Sequence, residues 1–332
     1  GRRVIINKQL GLRGSNTDTT LLNELTYLLE SGSDRIGALD FQRSASEYVP
    51  RGGGNITLEE LISSAERVEK GIALKPELDM ALYHGSAIGG ARPKALIESD
   101  DRKYIAKFSS TADLYSVVKA EFIAMRLAKL AGLDVASVKL ETVLNKDVLL
   151  IERFDRQYTK QGWRRKSIVS VLTIFELDDM MARYASYEAL AEIIRYRFSK
   201  PKETLKELFS RLTFNILCGN TDDHARNHAA FWDGRELSLT PAYDICPQSR
   251  SGNEASQAMM ISGNNNLSQL RVCVNAAPAF LLSQKEVDLI IEEQIEIIQV
   301  NWDRVCDEAR LGSVDKKLFW KRQFLNPYAF NN

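Results

Sequence analysis

Asp222, Asn227 and Asp244 have the residue types and spacing from which a phosphoryl-transfer centre can be built. Transfer from ATP needs a carboxylate to orient and deprotonate the attacking hydroxyl, and oxygen ligands for Mg²⁺ beside the phosphates. The segment Gly219-Asn220-Thr221-Asp222-Asp223-His224-Ala225-Arg226-Asn227 follows a helical pattern and sets Asp222 five positions before Asn227. The kinase catalytic loop H-R-D-x-x-x-x-N has the same separation, which makes Asp222 the candidate base and Asn227 a candidate metal ligand. Asp244 lies seventeen residues further on, in Pro241-Ala242-Tyr243-Asp244-Ile245. An expected hairpin between them returns the chain, so that Asp244 can also ligate Mg²⁺. Each carboxylate alone would read as a turn or cap residue; the ordered set is more specific. Asp223 as the base would leave Asn227 four positions away and out of register, so Asp222 is preferred.

Residues upstream fit the same chemistry. Gly85-Ser86-Ala87-Ile88-Gly89-Gly90-Ala91 is a run of mostly small residues, which lets backbone N–H groups approach phosphate oxygens. It is neither GxGxxG nor a Walker A motif, and alone it reads as a tight turn. Lys107 follows Gly90 by seventeen positions, inside the apolar Tyr104-Ile105-Ala106-Lys107-Phe108. A lysine there needs a partner, because unpaired burial of charge is costly. Phosphate oxygens or Glu121 in the next helix would serve. Leu149-Leu150-Ile151-Glu152-Arg153-Phe154-Asp155 ends an apolar strand, where backbone groups could reach an adenine and Asp155 a ribose.

The elements that must position these residues can be read from periodicity. Leu21, Leu22, Leu25, Leu28 and Leu29 make residues 1–35 helical, and residues 35–41 read as a short strand. Thr57-Leu58-Glu59-Glu60 has the form of a capping box. Two strands, 95–98 and 103–108, form a hairpin. Residues 115–132 are an amphipathic helix closed by Gly132. Strands follow at 137–144 and 147–154. Helical spacing dominates 186–198 and 202–218, with short strands at 229–232 and 237–239. The polar, Gly/Asn/Ser-rich stretch 249–268 predicts a mobile loop. Ser283-Gln284-Lys285-Glu286 opens a long helix to about Ala309. The character changes near residue 155, predicting an N-terminal lobe over 1–154, with the glycine-rich turn at 85–94, and a helical C-terminal lobe over 155–332.

Composition bounds the classes. The 332 residues are 44% hydrophobic and 27% charged, as in ordinary globular domains. Lys plus Arg equal Asp plus Glu at 44 each, which gives no bulk attraction to nucleic acid. Cys218, Cys246, Cys273 and Cys306 form no CxxC pair and predict free thiols in a reducing compartment. No secretory leader or long apolar run is evident, so a cytoplasmic location is expected. The chain begins at Gly1 without methionine, which predicts a truncated start. His224 and His228 have the spacing of a zinc pair, but their neighbours are hard oxygen donors and a zinc hydrolase is set aside.

On these segments the chain resembles the HipA family of bacterial serine/threonine toxin kinases. The resemblance is carried by Ser86-Ala87-Ile88-Gly89-Gly90-Ala91-Arg92-Pro93-Lys94, Ile151-Glu152-Arg153-Phe154-Asp155-Arg156, the loop 219–227, residues 241–245 and Asp34-Arg35-Ile36-Gly37-Ala38-Leu39. It implies an α+β, two-lobed protein-kinase-like fold with a mixed N-lobe and a mainly helical C-lobe. It also implies autophosphorylation in the glycine-rich turn and a helix-turn-helix antitoxin of the HipB kind, through which DNA would be bound. Substrates would be components of translation such as an aminoacyl-tRNA synthetase. The implied cofactors are ATP and Mg²⁺. By the same route Asp222 would be catalytic, Asn227 and Asp244 would hold Mg²⁺, and Lys107 would contact phosphate. Glu152 and Phe154 would bind adenine through their backbones, with Asp155 and His224 near the ribose. Ser86, Ala87, Ile88, Gly89 and Gly90 would lie against the phosphates. Two departures stand out. Family members usually begin with a further N-terminal subdomain, and the usual loop serine falls on Ala87, beside Ser86. Either the regulatory serine has shifted to Ser86 or autophosphorylation is lost. Two competing readings are a pseudokinase acting through an antitoxin partner and a small-molecule kinase on the same fold.

Overall fold

The computed structural model describes residues 22–51, 94–99, 101–109, 113, 115–250 and 252–331. The glycine-rich turn with Ser86, Ala87, Ile88, Gly89 and Gly90, and the capping box at Thr57, lie outside the described residues. The chain divides into two compact units, Gly1–Thr111 with Lys139–Ser167, and Ala112–Val138 with Ile168–Asn332.

The first unit is built on an antiparallel sheet. Its strands are β1 (Lys94–Ser99), β2 (Arg102–Phe108), β3 (Val138–Val143) and β4 (Lys146–Glu152), in the order β1-β2-β4-β3. The expected hairpins are present. Register follows burial: Ala95 faces Ala106 and Phe108 faces Val148, and these four make the buried centre, flanked by Ile97, Val143 and Leu150. A short ribbon continues from β4, with β5 (Arg156–Thr159) antiparallel to β6 (Gly162–Arg165). Helix α1 (Glu24–Glu30) precedes the sheet, capped by Asn23.

Residues 35–41 are not a strand. Their backbone groups are used elsewhere. The Gly37 N–H donates to Asp155 Oδ2 (2.8 Å), the Arg35 carbonyl accepts from the Arg153 and Arg156 guanidinium groups, and the Gly37 carbonyl accepts from Arg156 (3.0 Å). Three backbone groups of Arg35 and Gly37 are thus taken by side chains instead of by a ladder. The segment is a strap held by salt bridges.

The second unit is mainly helical. Helix α2 (Val117–Leu130) ends before Gly132, whose φ of +84° favours glycine. A three-stranded sheet joins β7 (Ser167–Ser170), β8 (Ala229–Trp232) and β9 (Leu237–Leu239). A single turn, α3 (Val171–Ile174), follows β7, and then come α4 (Tyr187–Arg197) and α5 (Pro201–Cys218). Proline at the first position suits α5, since its missing N–H would be unbonded there anyway. From Leu208 onward α5 is buried on nearly every face, with Phe209, Leu212, Phe214, Ile216 and Leu217 fully covered. It packs against α4, against α6 (Leu270–Ala276) and against α7 (Gln284–Glu308). The capping box expected at Ser283 and Glu286 is formed. Gln294 ties α7 to α5, accepting from Thr213 Oγ1 (2.9 Å) and donating to the Ser210 carbonyl (2.8 Å). A last helix, α8, spans Ser313–Phe319.

The described part of the stretch 249–268, residues 249–250 and 252–268, is not a loose loop. Met259 and Ile261 are fully buried, and short bridges pair Ser256 with Leu267 and Ser262 with Asn265. Two apolar anchors hold a segment whose composition alone signals solvent.

Candidate phosphoryl-transfer site

The loop carrying Asp222 begins where α5 must stop. Gly219 has a φ of +74°, and a Cβ there would lie 2.7 Å from the Gln323 carbonyl oxygen. Only glycine fits. Asn220 turns the chain back, its N–H donating to the Asn215 carbonyl (2.8 Å) and its Nδ2 to Asn215 Oδ1 (3.0 Å). The far side of the loop is held by backbone bonds from Val171 N–H to the His228 carbonyl (2.8 Å) and from Leu172 N–H to the Ala225 carbonyl (3.1 Å).

Along this loop, burial separates two adjacent aspartates. Asp222 is exposed, whereas Asp223 is 3% exposed. Asp223 Oδ2 accepts from Asn215 Nδ2 (2.8 Å) and from the Tyr187 hydroxyl, and meets His228 Nε2 at 3.0 Å. Burial pushes the Asp223 carboxyl up, but His228 and Tyr187 override this and hold it below the usual carboxylate range. Burial and the adjacent Asp223 push the Tyr187 phenol well above its ordinary value. Asp223 is therefore an internal hub, and Asp222 is the carboxylate open to solvent.

Asn227 is mostly buried, and its N–H donates to the His224 carbonyl (2.8 Å). Its Nδ2 donates to the Asp222 carbonyl (3.3 Å). That bond orients the amide and leaves Oδ1, the oxygen a hard cation would take, outside it. Half-buried His224 has a buried Nδ1 with no hydrogen-bond partner among the described residues.

Asp244 is half-buried and has a φ of +60°. Aspartate enters this left-handed region more readily than most residues. Its segment is fixed from two sides. The Ala242 N–H donates to the Asp134 carbonyl (2.7 Å), and the Ala136 N–H donates to the Ala242 carbonyl (2.9 Å). Buried Arg211 gathers the Asp134 and Thr240 carbonyls (3.1 and 2.9 Å) and the Glu207 carboxylate (2.7 Å). On the other side, the Tyr243 hydroxyl donates to the Arg226 carbonyl (2.7 Å). Burial and the neighbouring Asp244 carboxylate push the Tyr243 phenol up. Residues next to Asn227 and Asp244 are thus bonded to each other, which joins the loop to the Asp244 segment. Among the described residues no group of three or more His, Cys, Asp or Glu is placed to hold a metal. Mg²⁺ needs fewer, since it is bound through one or two carboxylates together with phosphates and water. The oxygen donors of Asn227 and Asp244 fit it.

In the first unit, Lys107 lies buried on β2, 6% exposed. Glu121, on α2 of the second unit, is also buried. Glu152 ends β4 opposite Tyr104, and its carboxylate pairs with Arg102 (3.0 Å). Half-buried Phe154 follows in the turn to β5. Asp155 is only 2% exposed and its oxygens are heavily engaged. Oδ1 accepts from Arg153 Nε (2.9 Å), and Oδ2 accepts from Arg153 (2.8 Å), Arg156 (2.7 Å) and the Gly37 N–H (2.8 Å). Burial would raise this carboxyl, and the two arginines hold it down. A carboxylate so committed anchors the strap. The sequence gives no local sign of this, because Asp34 and Gly37 are more than a hundred positions away.

A family model described as the HipA-like C-terminal domain matches residues 86–302. Over 254 residues the chain is 25% identical to the serine/threonine-protein kinase toxin HipA of Shewanella oneidensis, covering 67% of this chain and 56% of that protein. It is 28% identical over 153 residues to a protein of Sinorhizobium fredii named "Putative kinase Y4mE", covering 42% of this chain and 33% of that one. The matched regions thus span from a third to just over half of these relatives. Among solved structures, the HipA, HipB and operator DNA complex of Shewanella oneidensis contains a chain that superposes with a TM-score of 0.73 at 21% identity, covering 98% of this chain and 79% of that one. That likeness shows the fold, the mixed α+β kinase-like class expected from the sequence.

Proposed function

The chain belongs to the HipA-like C-terminal domain family, and from that premise we propose that it is an ATP- and Mg²⁺-dependent serine/threonine protein kinase. The observation that carries this reading is the division of labour at 222–227. An exposed carboxylate, Asp222, stands beside the buried and bonded Asp223, five positions before a mostly buried asparagine whose Nδ2 bonds the Asp222 carbonyl.

In this reading Asp222 accepts the proton of the acceptor hydroxyl, and Asn227 and Asp244 hold Mg²⁺, which neutralises phosphate charge when bound. Lys107 contacts phosphate. The backbones of Glu152 and Phe154 take the adenine, and His224 lies near the ribose. The ribose contact expected of Asp155 is not part of the proposal, because its carboxylate is engaged by Arg153 and Arg156. Ser86, Ala87, Ile88, Gly89 and Gly90 contribute backbone to the phosphates. The partner is a HipB-like helix-turn-helix antitoxin that carries DNA binding, and the substrate is a translation component, in the cytoplasm. The Shewanella oneidensis complex supports the partner by fold alone.

The test is incubation of the full chain with γ-labelled ATP and a cell lysate, with Asp222→Asn as control. Label on a serine or threonine of a lysate protein, lost in the variant, is expected. Equal labelling by both proteins would remove Asp222 from the mechanism.

A further inference from the structure

Each of the two proposed working residues of the loop is followed by a buried neighbour, Asp222 by Asp223 and Asn227 by His228. Those neighbours meet each other, Asp223 Oδ2 to His228 Nε2 at 3.0 Å. We propose that this buried contact, held from outside the loop by Tyr187 and Asn215, is a clamp that fixes the placement of Asn227 relative to Asp222. Tyr187, Asp223 and His228 are then positioning residues for the metal. The inference rests on the kinase reading and adds residues to it.

The geometry supports a clamp more than a packing role. Tyr187, Asp223 and His228 are 1%, 3% and 2% exposed, so none is open to a substrate. One carboxylate oxygen collects side chains from α4 (Tyr187), α5 (Asn215, 2.8 Å) and the entry to β8 (His228). The ring of His228 also stacks edge-on against Tyr187, with centroids 5.6 Å apart. A buried carboxylate is costly unless fully bonded, and apolar residues would fill the same space at less cost. What the polar set adds is a fixed distance across the turn from residue 222 to residue 228, within which Asn227 N–H and Nδ2 bond back to His224 and Asp222. Bonded groups behind metal ligands are typically worth roughly 10–100-fold in metal affinity.

The experiment measures how binding of a non-hydrolysable ATP analogue to the full chain depends on Mg²⁺, by calorimetry, with thermal unfolding in parallel. In His228→Ala the Mg²⁺ concentration for half-maximal binding should rise about tenfold. His228→Gln, whose amide nitrogen can replace Nε2, should bring it back to within about threefold of the wild type. With Asn227→Ala already present, His228→Ala should add no further shift, because the ligand it positions is gone. A general loosening of the fold would instead shift both backgrounds equally, and that result overturns the clamp. If His228→Ala does not fold, Tyr187→Phe carries the same comparison with a smaller expected shift, about threefold. An unchanged Mg²⁺ requirement in a folded Tyr187→Phe or His228→Ala variant also overturns the clamp, leaving the kinase reading intact. Wild-type chain that takes up no Mg²⁺–nucleotide overturns the kinase reading and the clamp together.

Discussion

Replacing Arg153 by methionine should open the first unit without touching the loop of Asp222. The Arg153 side chain is completely buried and bonds both oxygens of Asp155, Asp34 Oδ1 (3.0 Å) and the carbonyls of Asp34 and Arg35. Methionine keeps the volume and removes the charge, so Asp155 keeps only Arg156 and the Gly37 N–H. Breaking a buried pair from one side costs roughly 3–5 kcal/mol. The remaining Arg156 contact puts the expected loss near the lower end, about 3 kcal/mol. At about 1.4 kcal/mol per decade, amides of β2 and β4 should exchange with solvent roughly a hundredfold faster. Hydrogen–deuterium exchange resolved by peptide is the assay, with α5 and α7 as internal references. Exchange in β2 and β4 unchanged to within about threefold would refute the view that the clasp holds this unit. The same clasp predicts acid sensitivity. Burial acts to raise the Asp34 carboxyl, but Arg153, Arg156 and Lys103 bring it from 3.8 down to about 2. A depressed carboxylate stabilises the fold above its unfolded value and loses that contribution as pH falls through the folded one. The strap should therefore release between about pH 4 and pH 2, for a loss on the order of 2 kcal/mol from Asp34.

Three further outcomes are expected. Gly219→Ala should destabilise the second unit by about 2 kcal/mol or more, because the new methyl meets the Gln323 carbonyl at 2.7 Å and φ is +74°; a lowered unfolding midpoint checks this, and an unchanged one refutes it. Ser283→Ala should cost about 1 kcal/mol by removing the capping box of α7, read as a lower urea midpoint at constant slope. In the native chain Cys246, half-buried, should react first with a thiol reagent, while burial pushes Cys218 up to about 12 and raises Cys273 as well, so both stay unmodified until unfolding.

The elements legible in the sequence are those whose signals are local. The hairpin β1–β2 shows as alternation, α2 as a 3.6-residue stripe ended by Gly132, and α7 as a capping box. The candidate loop 219–227 is legible because the residue types that mark it sit at short spacings. What stayed hidden depends on distant partners. Residues 35–41 read as a short strand, yet two arginines more than a hundred positions away take the carbonyls of Arg35 and Gly37. Asp155 looks available in the sequence and is spoken for in the fold. Residues 249–268 look solvated because two buried apolar side chains, Met259 and Ile261, are outnumbered by polar ones. Asp222 and Asp223 were separated by register alone, and burial supports the same choice through a contact with His228 that spacing could not reveal.

The central claim is that Asp222 moves a proton in phosphoryl transfer and does little for nucleotide binding. Measuring both in one pair of proteins tests it most directly: single-turnover transfer from γ-labelled ATP, and affinity for Mg²⁺–ATP, in the wild type and in Asp222→Asn. Loss of a general base costs roughly 10²–10⁴-fold in rate. A fall of that size with Mg²⁺–ATP affinity held within about threefold is the result expected. Transfer at the wild-type rate in a folded Asp222→Asn chain contradicts the account.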